Sequence, residues 1–66
     1  MTNRVYVSPY DGSRAVLSVE ADDLPATIRV IRRGSPCPEL YLFDAGVDAF
    51  AWLAFHGYRR SLEVVR

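Results

Sequence analysis

Only one stretch of this chain has the make-up of a helix. It is VDAFAWLAFHGY, residues 47–58, where Asp48 and His56 are the only clearly polar side chains before the Gly-Tyr ending. Elsewhere the apolar residues alternate with polar ones or run in short blocks between turn formers, as strands do. One helix can cover one face of one sheet, so the pattern restricts the chain to a small α+β fold. The same helix poses a question. It carries Phe50, Trp52, Leu53 and Phe55, and a chain of 66 residues has too little interior to surround a helix on every side.

The helix is expected over about residues 46–57. Asp44 is placed to cap it and Asp48 to sit near its positive end. Gly57 suits the left-handed position just past the C-terminus, where Tyr58 can fold back on Leu53.

The strands follow from alternation and its breaks. RVYVS sets Val5 and Val7 against Arg4, Tyr6 and Ser8, and Pro9 and Asp11-Gly12 then form a turn. RAVLSVEA puts Ala15, Leu17, Val19 and Ala21 on one face and Arg14, Val16, Ser18 and Glu20 on the other. These two strands should form an antiparallel hairpin. DDLP breaks the pattern at Pro25. TIRVIRR is a third strand, with Ile28, Val30 and Arg32 opposite Arg29, Ile31 and Arg33. After GSPCP, the run ELYLF reads as a central strand covered on both faces. RRSLEVV closes as a fifth strand, Leu62 and Val64 alternating against Ser61, Glu63 and Val65. The order is ββββαβ: a mainly antiparallel sheet with one helix on one face. The last β-α-β unit should cross over right-handed if its strands are parallel. Residues 1–66 read as a single compact domain without a linker or disordered tail.

So small a chain buries only about 60% of the surface its unfolded form exposes and needs help to be stable. Cys37 is the single cysteine, which excludes an internal disulfide. One His and one Cys cannot supply a four-ligand zinc site. Association with a partner chain is the remaining helper. Eight Arg and no Lys balance eight acids, for a net charge of zero. Neutrality argues against a general nucleic-acid binder, which needs excess positive charge to displace counterions. No apolar run approaches the roughly 18 residues of a membrane span, and no signal pattern is visible. A cytoplasmic protein with a free thiol is expected.

Winding residues 47–58 at about 100° per residue puts Val47, Phe50, Ala51, Ala54 and Tyr58 on one side, with Leu53 at its edge. This is a sheet-facing stripe. The opposite side carries Asp48, Ala49, Trp52, Phe55 and His56, with Arg59 just beyond. It reads as a partner or dimer interface, anchored by Trp52 and Phe55 and rimmed by Asp48, His56 and Arg59. His56 could make association pH-sensitive. The competing reading is that a curled sheet or the SPCPE loop covers Trp52 within the monomer.

No catalytic constellation is present. Cys37 and His56 are the one orthodox nucleophile–base pair, with Asp44 or Asp48 as a third group on paper, but nothing in their spacing demands it. Asp22 and Asp23, with Asp11 and Glu20 nearby, lack calcium-loop spacing and read as a solvated turn. No metal or cofactor is expected. Arg29, Arg32 and Arg33, with Arg59 and Arg60, would form a basic sheet face if the third and fifth strands were neighbours. Tyr6 and Tyr41 would then serve as stacking platforms. Pairing of the arginines with Glu20, Glu39 and Glu63 across strands is the alternative.

The expected function is therefore a small, non-enzymatic protein–protein interaction module, homodimeric, that docks on a larger protein and inhibits or modulates it. Compact chains of this kind are typical of phage and mobile-element inhibitors, anti-defence proteins among them. The alternative is a nucleic-acid-binding regulator using Arg29, Arg32, Arg33, Arg60 and Tyr41.

Overall fold

The computed structural model describes residues 2–61. Five strands and one helix follow in the order β1 (Thr2–Val7), β2 (Arg14–Val19), β3 (Ala26–Ile31), β4 (Glu39–Phe43), α1 (Gly46–Phe55) and β5 (Arg59–Arg60). The strands form one antiparallel sheet in the order β4-β3-β2-β1-β5. This is the α+β fold that alternation predicts, with the helix on one face. Residues 62–66, including Leu62, Glu63, Val64 and Val65 of the expected fifth strand, lie outside the described residues.

Register decides which side chains meet. Leu17 is paired with Arg4 and Ile28, Ile28 with Tyr41, and Ala15 with Tyr6 and Val30. Residues directly opposite point to the same face. Ala15, Leu17, Val19, Ala26, Ile28 and Val30 therefore make one buried surface under the helix, and Leu17, Ile28 and Val30 are completely buried. Burying such a side chain is worth about 1.5–3 kcal/mol. Val7, Val16, Arg29, Ile31, Leu40 and Leu42 stand on the other face, which no helix covers among the described residues.

The helix presents the expected stripe only in part: Phe50 and Tyr58 pack against the core as expected, but the buried centre lies elsewhere. Gly46, Ala49 and Leu53 are buried, whereas Val47, Ala51 and Ala54 are exposed. The facing side is rotated by roughly a third of a turn from the hydrophobicity-weighted one. The cause is close approach. A Cβ on Gly46 would lie 2.7 Å from the Ala21 carbonyl oxygen and 2.7 Å from Val19 Cγ2. The first turn of the helix thus seats Gly46 directly on Val19 of β2 and on the turn after it, where no side chain would fit. The expected cap, Asp44, makes no side-chain cap bond. Instead the Val47 N–H donates to the Asp22 carbonyl at 3.0 Å. The C-terminus ends as expected. Gly57 has φ +75°, Tyr58 N–H donates to Leu53 O at 3.0 Å, and Gly57 N–H donates to Ala54 O at 3.1 Å.

β4 is an edge strand, not the central one expected from its apolar run. The lone helix lies over β3 and β4 on one face only. Tyr41 and Phe43 find cover there, while Leu40 and Leu42 on the other face are 63% and 74% exposed. β4 and β5 run in the same direction at opposite edges, and α1 carries the chain between them.

The topology also sorts charge. The ends of β2 and β4 and the start of α1 lie together and carry Glu20, Asp22, Asp23, Asp44 and Asp48. The opposite end carries Arg14, Arg32, Arg33, Arg59 and Arg60, with Asp11 and Glu39 among them. The zero net charge of the chain thus conceals an acidic end and a basic end.

Candidate functional site

At the basic end, the turn after β1, the turn after β3 and the end of α1 enclose a cleft of about 280 Å³. Trp52 is its hub. The indole centroid is 5.0 Å from Tyr41, 6.2 Å from Phe43, 4.2 Å from His56 and 5.8 Å from Tyr58, with the Tyr58 ring nearly parallel to it. Trp52 is half-buried. The rings around it are Tyr41 and Phe43 of β4 with His56 and Tyr58 from the end of the helix, and not the SPCPE loop. Tyr10 forms the outer wall at 84% exposure, its Cε2 only 2.8 Å from where a Cβ on Gly57 would stand. The ring needs that glycine to lie so close.

Polar groups fix the frame. Asp11 accepts from the Ser13 N–H at 2.9 Å and from the Ser13 hydroxyl at 2.7 Å. With its one hydrogen used there, Ser13 Oγ accepts from the Tyr58 hydroxyl at 3.0 Å. Arg32 Nε donates to Glu39 Oε2, and the Tyr41 hydroxyl donates to Glu39 Oε1 at 2.7 Å. Arg32 Nη1 also lies 3.7 Å from Asp11 Oδ2. The Arg32 hydrogen bond, helped by Tyr41, holds Glu39 below its ordinary range, and the Ser13 backbone and hydroxyl do the same for Asp11. The hydrogen bond to Glu39 raises Arg32 and, with burial second, Tyr41.

Both carboxylates bind protons more weakly folded than unfolded. Their contribution is present above the unfolded value and lost as pH falls through the lowered one. The urea midpoint should hold as pH falls to 4.5, the ordinary value for Glu, and decline below it. Glu39→Gln should flatten part of that decline, modestly because the pair is solvent-exposed. An unchanged acid limb in the variant would remove the Arg32–Glu39–Tyr41 network from the account.

The cleft gathers residues that the sequence assigned to two different sites. Trp52 and His56 came from the interface set, Arg32 and Tyr41 from the nucleic-acid set. Phe55 lies beside it, 87% exposed, with its ring edge-on to His56 at 5.4 Å. Asp48 is exposed at the other end of the helix, and Arg59 is exposed on β5. Ala49 is no surface residue: it is fully buried against the sheet, a consequence of the rotated helix face.

The arginine set does not assemble into one face, because β2 and β1 separate β3 from β5. Arg29 and Arg59 are on the open face. Arg60 is opposite Tyr6 on the helix face, and Tyr41 is half-buried beneath Trp52. Arg32 and Arg33 remain together with Arg14 around a shallow cleft beside Ile31. Cys37 is exposed in the loop before β4.

Sequence reasoning missed Tyr10, Ser8 and Ser13, and read Asp11 and Tyr58 only as parts of a turn and a helix end. The Asp11-Gly12-Ser13 turn was legible as a turn, but not as the floor of a cleft. Among the described residues no group of three His, Cys, Asp or Glu is placed to hold a metal, and no helix is long and apolar enough to cross a membrane. No known protein family, curated protein or solved structure matches this chain.

Proposed function

We propose that the chain is a small, non-enzymatic protein-binding module that docks on a larger protein and blocks or tunes it. One observation supports this above all: Tyr10 and Phe55 stand almost fully exposed on a rigid frame beside Trp52, His56 and Arg32. Tyr, Trp and Arg are the side chains that most often anchor protein interfaces. The side chains beneath them are already held, Tyr58 by Ser13 and Tyr41 by Glu39. In this reading the module works as a homodimer, of the kind phages and mobile elements use as inhibitors. It works in the cytoplasm, where an exposed Cys37 thiol stays reduced.

The test compares Tyr10→Ala with Phe55→Ala, singly and together, as bait against host lysate. Neither side chain is buried, so folding stability should stay within about 0.5 kcal/mol of wild type. Affinity for the captured protein should drop by about 2 kcal/mol or more, roughly 30-fold. Equal capture by all baits would move the docking surface elsewhere.

A further inference from the structure

The outer edge of β4 is open. Among the described residues no strand pairs with it, while β3 occupies its inner edge. An edge of unpaired N–H and C=O groups beside exposed leucine is a template for another strand. Natural edges are commonly guarded by Lys, Pro or a bulge, and ELYLF contains neither residue. Its inward side is already held by the Tyr41–Glu39 hydrogen bond and the Glu39–Arg32 pair. The edge is thus extended before anything docks on it.

The strand is complementary to itself. Tyr41 is its middle residue. A two-fold axis there pairs all of Glu39–Phe43 with the same residues of a second copy running antiparallel. Leu40 then faces Leu42 of the second copy, Glu39 faces Phe43, and no like charges meet. Opposed residues share a face. The four leucines therefore form one row on the face that lacks a helix, where Arg29 and Thr27 flank them by register. An axis at Leu40 would set Leu42 against Pro38, and one at Leu42 would set Leu40 against Asp44. Both leave part of the strand unpaired.

Charge supports the same direction. Antiparallel pairing lays the acidic end of one copy, with Asp44 directly after β4, beside the other copy's end bearing Arg32 and Arg33. Parallel pairing would bring like ends together.

We infer that two copies join through β4, antiparallel about Tyr41, so that two five-stranded sheets become one continuous sheet. This rests on the reading of the chain as a homodimeric module and names its seam. A second copy is favoured over a foreign strand because register, leucine row and charge are all satisfied by the chain itself.

Sedimentation equilibrium of the full chain, from micromolar to millimolar, tests it. The wild type should move from 7.4 kDa toward twice that mass as concentration rises. Leu40→Lys with Leu42→Lys should stay at 7.4 kDa, a weakening of about 100-fold or more, since like charges then face each other across the seam. Both leucines are exposed, so Trp52 emission and circular dichroism should match wild type. Leu42→Lys alone serves if the double variant does not fold. A wild type that stays monomeric overturns the seam and the homodimer, and leaves docking through Tyr10 and Phe55 standing. A dimer that survives the lysines overturns the seam alone. If Tyr10→Ala with Phe55→Ala becomes monomeric and the lysine variant does not, the helix end is the seam and β4 is not.

Discussion

Truncating Leu17 to Ala should leave much of the chain unfolded at 25 °C, with little or no native baseline in a urea titration followed by circular dichroism. Leu17 has no exposed surface. It lies in the middle of β2, with Arg4 on one side, Ile28 on the other and the helix layer above. A buried Leu→Ala change costs about 2–5 kcal/mol, from lost transfer energy and the cavity left behind. A core in a chain this short rarely supplies more than about 3–5 kcal/mol. The two figures nearly cancel, so the effect is loss of folding rather than a shifted midpoint. Leu42→Ala is the control. It removes the same atoms from a side chain 74% exposed and should change monomer stability by under about 0.5 kcal/mol. A Leu17→Ala chain that melts like Leu42→Ala would mean that Leu17 and Ile28 do not form the core under the helix.

Gly46→Ala should destabilise the fold, against the usual sign for that exchange. Replacing a helical glycine by alanine normally stabilises by about 0.4–1 kcal/mol, because the unfolded chain loses freedom. At Gly46 the added carbon meets a backbone oxygen and Val19 Cγ2, both at 2.7 Å, and Asp22 Cα at 3.3 Å. A backbone carbonyl cannot swing aside as a side-chain end can. The helix must lift at its first turn, stretching the Val47–Asp22 hydrogen bond. Overpacking of this kind costs about 1–3 kcal/mol. Gly46→Val should cost more, and its loss should appear in the urea midpoint with the slope unchanged. A stabilised Gly46→Ala chain would place the start of α1 farther from the sheet.

Period-two alternation located β1, β2 and β3, because a strand with one buried face must write that face into every second residue. The Leu17 and Ile28 core was legible for this reason. Gly57 was legible as a helix end, because few other residues accept its backbone angle. The helix face was legible only in part, at Phe50, Leu53 and Tyr58. Hydrophobicity weighs Val47 above Gly46 and Ala49, but close approach of the first helical turn to Val19 leaves room there for glycine alone. That error carried Ala49 into the interface set and put Trp52 farther from cover than it is.

The site was half legible for a related reason. Trp52, His56, Arg32 and Tyr41 were each singled out, yet assigned to separate surfaces. Strand order brings them together, and strand order is not written in the local pattern of any strand. ELYLF shows the same limit: a continuous apolar run looks alike whether a strand is covered on both faces or stands at an edge. Tyr10 was lost because it sits in SPYDGS, where Pro, Asp and Gly announce a turn and draw attention from the ring between them.

The sorting of charge has a further consequence. A body with no net charge is neither drawn toward nor driven from a distant charged surface, but one with an acidic and a basic end is turned by it. This torque acts within about a Debye length, roughly 8 Å at physiological salt. The cleft with Tyr10 and Trp52 lies at the basic end, so an acidic surface will rotate the molecule to meet it cleft first. A basic surface will meet the turn between β2 and β3 instead. Charge here selects the orientation of an encounter, and so raises the share of encounters that can dock.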